Sequence, residues 1–248
     1  MARLELPRTE RYESRLAWQF DAILTTSAVD RAALVTLAAA HRPGIPPIEV
    51  LPNGVDLDYF RPDPAVVRDP ETLILSGKMS YHANVSMALY LVREIMPRVW
   101  SERPAARVVI AGKDPAREVR ALADHPAVSV TGAVSDMRPH LRSAAVAVAP
   151  ITYGAGIQNK ILEAMACGTP VVTTPPALNA LSAVPGRDLL VGQDAAELAA
   201  GIVALLADPS RRASIGRAGR EYVAATHDWQ TLTRHLLTIY KNTPPRNL

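Results

Sequence analysis

The sequence has one cysteine and two phenylalanines in 248 residues, and aromatic side chains make up 5% of it. A single thiol, Cys167, excludes an internal disulfide framework and agrees with a reducing compartment. With few aromatics, a core must be built from Ala, Val and Leu, the composition that buried parallel sheets with packed helices require. No apolar run approaches the roughly 20 residues needed to span a bilayer. Met1–Glu5 opens no signal-peptide core. A cytoplasmic protein is expected, soluble or at most peripheral at the inner face of the membrane. Charge of neither sign dominates: 27 Lys and Arg against 24 Asp and Glu leave +3, too little to indicate nucleic acid. There is no G-x-G-x-x-G or Walker pattern for nicotinamide or ATP chemistry, and no G-x-S-x-G elbow for a serine hydrolase. No His/Cys set has zinc spacing, so neither a metal nor a cofactor is expected. Internal repeats and low-complexity segments are also missing.

What is present is an alternation of strands and helices. Tyr12, Leu16 and Phe20 recur at helical spacing within residues 8–20. A short strand is predicted over 21–26, then a helix over 29–40 capped by Ser27, with Asp30 in its first turn. Another strand at 48–51 stops at Pro52-Asn53-Gly54. Two lone strands make a poor core, so this opening reads as the end of a domain whose beginning is absent. A linker over 57–69, punctuated by Pro62 and Pro64, leads to a regular series. Strands are predicted at 72–77, 107–112, 128–131, 145–150, 170–174 and 189–191. Helices are predicted at 85–100, 115–123, 137–143, 157–166 and 195–207. This rhythm gives the fold class: α/β, with a Rossmann-like doubly wound parallel sheet. Ligands of such sheets sit outside the carboxyl ends of the strands, where Gly77, Gly112, Gly132 and Tyr153–Gly156 all fall. Two helices follow, one started by Asp208-Pro209 and one after Asp228-Trp229. Arg211, Arg212, Arg217 and Arg220 read as a solvated face of the first.

The stretch from Pro150 to Thr174 carries the most chemistry. Gly154 and Gly156 let a backbone approach a ligand closely. A helix from Ile157 would aim free N–H groups and its positive dipole end at that ligand. Asn159, Lys160 and Glu163 share one helix face. A donor, a cation and a carboxylate there suit a phosphorylated ligand carrying hydroxyl groups. Gly77–Asn84 reads as a second candidate loop with Lys78 as a point charge, or as an ordinary loop in which Asn84 caps the next helix. Among the histidines only His82 falls in such a loop. Asp56-Leu57-Asp58 reads as a local turn rather than a cation site, Cys167 as a buried small side chain, and Trp18, Trp100 and Trp229 as packing residues.

These residues resemble a known family. Asn53-Gly54-Val55-Asp56, Phe60-Arg61-Pro62, Ser76-Gly77-Lys78, Ala111-Gly112-Lys113, Val130-Thr131-Gly132-Ala133-Val134 with Asp136, and Glu163-Ala-Met-Ala-Cys-Gly-Thr-Pro-Val-Val172 occur in this order. Together they are similar to the family 4 retaining glycosyltransferases of the glycosyltransferase-B fold. The form Gly-Ile-Gln-Asn-Lys-Ile-Leu-Glu resembles a bacterial branch making exopolysaccharide and other surface glycans, including exosortase-associated sugar transferases. The resemblance implies a nucleotide-sugar donor, a glycan or lipid-linked acceptor, and no metal. It puts Glu163 on the ribose hydroxyls and Asn159, Lys160 and the Gly154, Gly156 and Ile157 turn at diphosphate and sugar. Gly77 and Lys78 would stand beside the diphosphate, with Gly112, Ala133 and Val134 around the base. Ala155 stands where many members carry a second glutamate. The implied domains are a remnant of the acceptor-side domain and linker at 1–60, the donor domain at 61–226 and a return helix at 227–248. The missing acceptor half would be a further domain or a separate chain. A sugar-nucleotide 2-epimerase and a non-catalytic nucleotide-sugar-binding module remain as alternatives.

Overall fold

The computed structural model describes residues 2–40, 44–153 and 158–243. The chain opens with helix α1 (Ala2–Leu16), strand β1 (Ile23–Thr25), helix α2 (Ala28–Ala39) and strand β2 (Ile48–Val50). Ser27 starts α2 as predicted: its backbone is extended and its Oγ accepts from the Asp30 N–H at 3.1 Å. β1 and β2 pair in parallel, with Ile23 opposite Ile48. Little covers this small sheet, and Phe20, Leu24 and Val29 stay 50%, 39% and 54% exposed.

The second unit contains β3 (Asp69–Ser76), α3 (His82–Tyr90), α4 (Met96–Glu102), β4 (Arg107–Ala111), α5 (Arg117–Arg120) and β5 (Val128–Val130). It continues through α6 (Arg138–Ser143), β6 (Ala144–Ala149), α7 (Asn159–Ala166), β7 (Val171–Thr173), β8 (Leu190–Val191) and α8 (Ala195–Ala207). α9 (Pro209–Thr226) and α10 (Trp229–Asn242) follow. Six strands form one sheet in the order β5-β4-β3-β6-β7-β8, and every neighbouring pair is parallel. The chain steps outward from β3 to β5, returns to β6, and then runs the other way. The reversal between β3 and β6 is a topological switch point, where two loops diverge and leave a crevice. β6 consists only of Ala and Val, all buried, as a central strand covered on both faces requires.

Three departures from expectation have identifiable physical causes. The helix predicted over 85–100 runs instead from His82 to Glu102, with a wide π turn at Leu91–Ile95 between α3 and α4. Pro97 follows that turn; it has no N–H to give and would crowd the carbonyl four residues back. Asn84 does not cap α3, which starts after Tyr81; it is buried, and its Nδ2 donates to the Lys78 carbonyl at 2.9 Å. The arginines of α9 are not all solvated. Arg220 donates to the carbonyls of Phe60 (2.7 Å) and Leu57 (3.3 Å) and to Ala166 O, tying the linker to the end of α7. Arg212 donates to Leu205 O at 3.0 Å.

Of the three tryptophans, Trp100 packs on His125 with ring centroids 4.0 Å apart. Trp229 leaves half its surface exposed. Cys167 is fully buried, and burial pushes its thiol pKa up to about 11, which suits a packing residue.

Candidate functional site

At the switch point lies a cleft of about 360 Å³, lined by Phe60, Ser76, Gly77, Met137, Gln158, Asn159, Lys160 and Glu163. Its floor depends on glycine. Gly112 has φ +150°, and a Cβ on it would sit 1.7 Å from the Gly77 carbonyl oxygen, so no other residue fits. The same loops are stitched by Gly77 N–H to Ala111 O (3.0 Å) and Gly112 N–H to Gly132 O (3.2 Å).

The wall is α7. Its C-terminus is fixed by a Schellman motif: Gly168, at φ +68°, donates to Met165 O (2.8 Å), and Thr169 N–H donates to Ala164 O (2.9 Å). Arg68 adds a cation at that negative end, donating to Cys167 O at 3.0 Å and Ala144 O at 2.7 Å. At the cleft end, Lys160 and Glu163 are both half-buried. Burial lowers the Lys160 pKa to about 8, with Glu163 opposing. Burial likewise raises the Glu163 pKa, with Lys160 opposing. Lys160 Nζ donates to Gln158 Oε1 at 3.0 Å, whereas the Glu163 carboxylate has no hydrogen bond among the described residues. Each charge is therefore held short of full solvation, at a cost that an anionic, hydroxyl-bearing ligand would offset. From the other side Asn53 Nδ2 donates to Asn159 Oδ1 at 2.9 Å, bringing the small unit to the cleft.

A cavity of similar size, about 370 Å³, lies under α1 and α2, lined chiefly by Leu16, Phe20, Ile23, Leu34 and Leu37. Its two charged lining residues, Glu13 and Asp30, are acidic and unsuited to a phosphate. Asp56 Oδ1 accepts from the Asp58 and Tyr59 amides at 3.0 and 2.8 Å, the expected turn. No cluster of three metal-ligating side chains occurs among the described residues, and none of their helices is long and apolar enough to cross a membrane.

Residues 70–208 match the family described as "Glycosyl transferases group 1". The chain belongs to this family. One relative is the GDP-mannose-dependent monoacylated alpha-(1-6)-phosphatidylinositol monomannoside mannosyltransferase of Corynebacterium glutamicum, 30% identical over 221 residues, covering 80% of this chain and 57% of that one. Another is the glycogen synthase of Mycobacterium tuberculosis, 29% identical over 251 residues, covering 92% and 56%. The chain thus spans just over half the length of these relatives. Solved structures with the same fold include sucrose-phosphate synthase from Thermosynechococcus elongatus, with TM-score 0.74, 23% identity, and 94% of this chain and 60% of that chain covered. Anabaena Alr3699/HepE, solved in complex with UDP and glucose, gives TM-score 0.75 and 16% identity, with 94% and 66% covered. The Rossmann-like parallel sheet expected from the sequence is the fold these glycosyltransferase structures share.

Within this group 1 glycosyltransferase chain, Gly77, Asn159, Lys160 and Glu163 meet at the cleft as the sequence suggested. Gly112 packs behind Gly77. Lys78 is exposed and lies outside the cleft lining, as do Ala133, exposed, and Val134, half-buried. Gly154, Gly156 and Ile157 fall outside the described residues. Sequence reasoning missed Phe60, Ser76, Met137 and Gln158 as lining residues and Asn53 as the partner of Asn159. Ser76 and Gln158 directly precede chosen residues, so extending each motif by one position would have found them. Met137 gave no signal. His82 is not in the lining; its Nδ1 lies 2.8 Å from Tyr153 Oη, with the rings stacked.

Proposed function

We propose that this chain is the donor-binding portion of a family 4 retaining glycosyltransferase that takes its sugar from a nucleotide sugar. The observation that carries the reading is the pair on α7: a half-buried cation and a half-buried carboxylate, one turn apart, facing a switch-point crevice. The diphosphate lies against Lys160 and Asn159, with exposed Lys78 as a second cation at the mouth. Glu163 accepts hydrogen bonds from the ribose hydroxyls. The base lies toward Gly112, Ala133 and Val134.

In the proposed reaction the acceptor attacks on the face from which the diphosphate departs, and that phosphate helps take the proton. The protein positions the reactants and stabilises charge on the leaving diphosphate, without a metal. The acceptor is a glycan or lipid-linked sugar in surface-polysaccharide synthesis, at the cytoplasmic side of the membrane. Residues 1–60 belong to the acceptor side, 61–226 to the donor domain and 227–248 to the return helix. The rest of the acceptor-side domain is supplied by the same or another polypeptide, in keeping with the share of the relatives' length spanned here.

Calorimetry with UDP, GDP and ADP tests this reading. Weak binding of at least one nucleotide is expected, and no binding by folded protein overturns it. Glu163→Ala is expected to weaken that binding by about 1–3 kcal/mol, the cost of leaving the partner donors unsatisfied; unchanged affinity removes Glu163 from the ribose.

A further inference from the structure

His227 is 3% exposed and lies in the turn between α9 and α10. Its two ring nitrogens have different partners, and these fix its tautomer. Nδ1 lies 2.8 Å from the Asn53 carbonyl oxygen, which can only accept, so Nδ1 carries the proton. In the neutral ring Nε2 is then an acceptor, and Tyr222 Oη, 3.0 Å away, donates to it. Tyr222 Oη in turn accepts from the Ser182 N–H at 3.0 Å. The buried histidine and tyrosine thus have every side-chain hydrogen bond fixed in one direction. Burial also lowers the His227 pKa, keeping the ring in the neutral form the pattern needs.

Two backbone features converge on the same place. Val55 N–H donates to His227 O at 2.8 Å, and Val55 forms a parallel bridge with Asp228. The Trp229 ring lies over Gly54 so closely that a Cβ there would stand 2.5 Å from a ring carbon. Asn53-Gly54-Val55 and His227-Asp228-Trp229 therefore clasp each other residue by residue. Asn53 also reaches the other way, to Asn159 at the start of α7. Hydrogen bonds run from Ser182 through Tyr222 and His227 to the Asn53 carbonyl, and the Asn53 side chain carries the connection on to Asn159 at the cleft.

We infer that His227 is a positioning residue for the cleft, latching the Asn53–Val55 turn so that the Asn53 amide holds Asn159 in its binding rotamer. Asn159 is an exposed side chain on the first turn of α7. Left alone, it would be ordered only when ligand arrives, and that cost would come out of affinity. Val55 anchors the far end of this turn in the large core, whereas Asn53 itself is only half-buried, so the placement of its side chain depends on the latch at its carbonyl.

The inference rests on the cleft binding a nucleoside diphosphate, and the test separates the two claims. The probe is whichever of UDP, GDP and ADP binds best, measured by calorimetry against His227→Phe, His227→Gln, Asn53→Ala and the double variant His227→Phe/Asn53→Ala. His227→Phe and Asn53→Ala are each expected to weaken binding three- to tenfold, and the double variant no more than the larger single loss. His227→Gln can still donate to Asn53 O and accept from Tyr222, and should restore most of the affinity. Unchanged affinity in His227→Phe, or losses that multiply in the double variant, would overturn the inference, since a merely structural histidine predicts independent effects.

A ligand-free readout covers the case in which no nucleotide binds. His227→Phe should speed amide exchange at Val55 at least tenfold while leaving Ile110 and Val148, in the large sheet, unchanged. An unchanged Val55 rate sinks the latch whatever the nucleotide result. Should His227→Phe fail to fold, Tyr222→Phe removes one bond from His227 and is expected to give a smaller loss, again non-additive with Asn53→Ala.

Discussion

The two sheets of this chain are made by the same chemistry, short β-branched strands joined by capped helices, yet they differ in what covers them. β6 is buried along its whole length. In the small unit Leu24 on β1 and Phe20 and Val29 beside it remain 39%, 50% and 54% exposed. Parallel strands need cover on both faces, and two strands alone bury too little to stand independently. At roughly 1.5–3 kcal/mol for each large apolar side chain taken from water, the large unit holds nearly all the burial energy. Rigidity in this molecule is therefore concentrated around the cleft floor, and the small unit is attached to it rather than packed into it.

Amide exchange is the most direct way to break this comparison. Amides of β3, β4 and β6 should exchange only through global unfolding, whereas those of β1 and β2 should open locally, on the order of a thousandfold faster, about 4 kcal/mol lower in free energy. Equal protection in the two sheets would mean that the small unit is as stable as the large one, and the contrast would fall. Glycine substitutions probe the same difference at single positions. Gly112→Ala drives a Cβ into the Gly77 carbonyl and strains a backbone at φ +150°, so a loss of about 3 kcal/mol or more is expected in urea melts. Gly44, before β2, has φ +81° with nothing within 4 Å of an added Cβ, and Gly44→Ala should cost about 1 kcal/mol.

The same contrast explains what could be read from the sequence. The large unit was legible almost strand by strand, because buried parallel strands leave continuous apolar runs and each crossover ends in a glycine or a cap. Asp208, and Ser27 in the small unit, accept from the amides their positions predicted, and Asp228, which the sequence placed only ahead of a helix, caps α10 in the same way. On the cleft, Gly77, Asn159, Lys160 and Glu163 were legible because one loop and one helix face hold them. Arg68 and Arg220 were not: Arg68 carried no signal and Arg220 read as solvated, and both serve carbonyls at the end of α7. Their partners lie 54 or more positions away along the chain, a distance over which no local pattern carries information. Asn53 and Met137 were lost for the same reason. Pro97 was visible, but its effect, a widened turn rather than a helix end, depends on the packing of the helix against the sheet.

Lys160 sharpens the comparison from the opposite direction, since here the well-covered unit gives up stability. Burial lowers its pKa from the ordinary 10.5 to about 8, so the folded state disfavours the charged ammonium. That penalty is fully present below pH 8 and fades as pH rises toward the unfolded value. Lys160→Met removes it, and near pH 7 should raise the ligand-free melting temperature by roughly 2–4 °C, the shift that about 1 kcal/mol gives a domain of this size. The gain should shrink between pH 8 and pH 10, where the wild-type lysine is already losing its proton. Nucleotide affinity must move the other way. A diphosphate beside Lys160 favours the ammonium, so wild-type affinity should fall as pH rises through about 8, by up to roughly tenfold per pH unit, the limit for one proton taken up on binding. Lys160→Met should bind more weakly near pH 7 and lack that dependence above pH 8. A melting temperature that drops in Lys160→Met, or an affinity flat from pH 7 to 9 in the wild type, would mean that Lys160 is a structural lysine and that the cleft does not hold its charge in reserve for an anion.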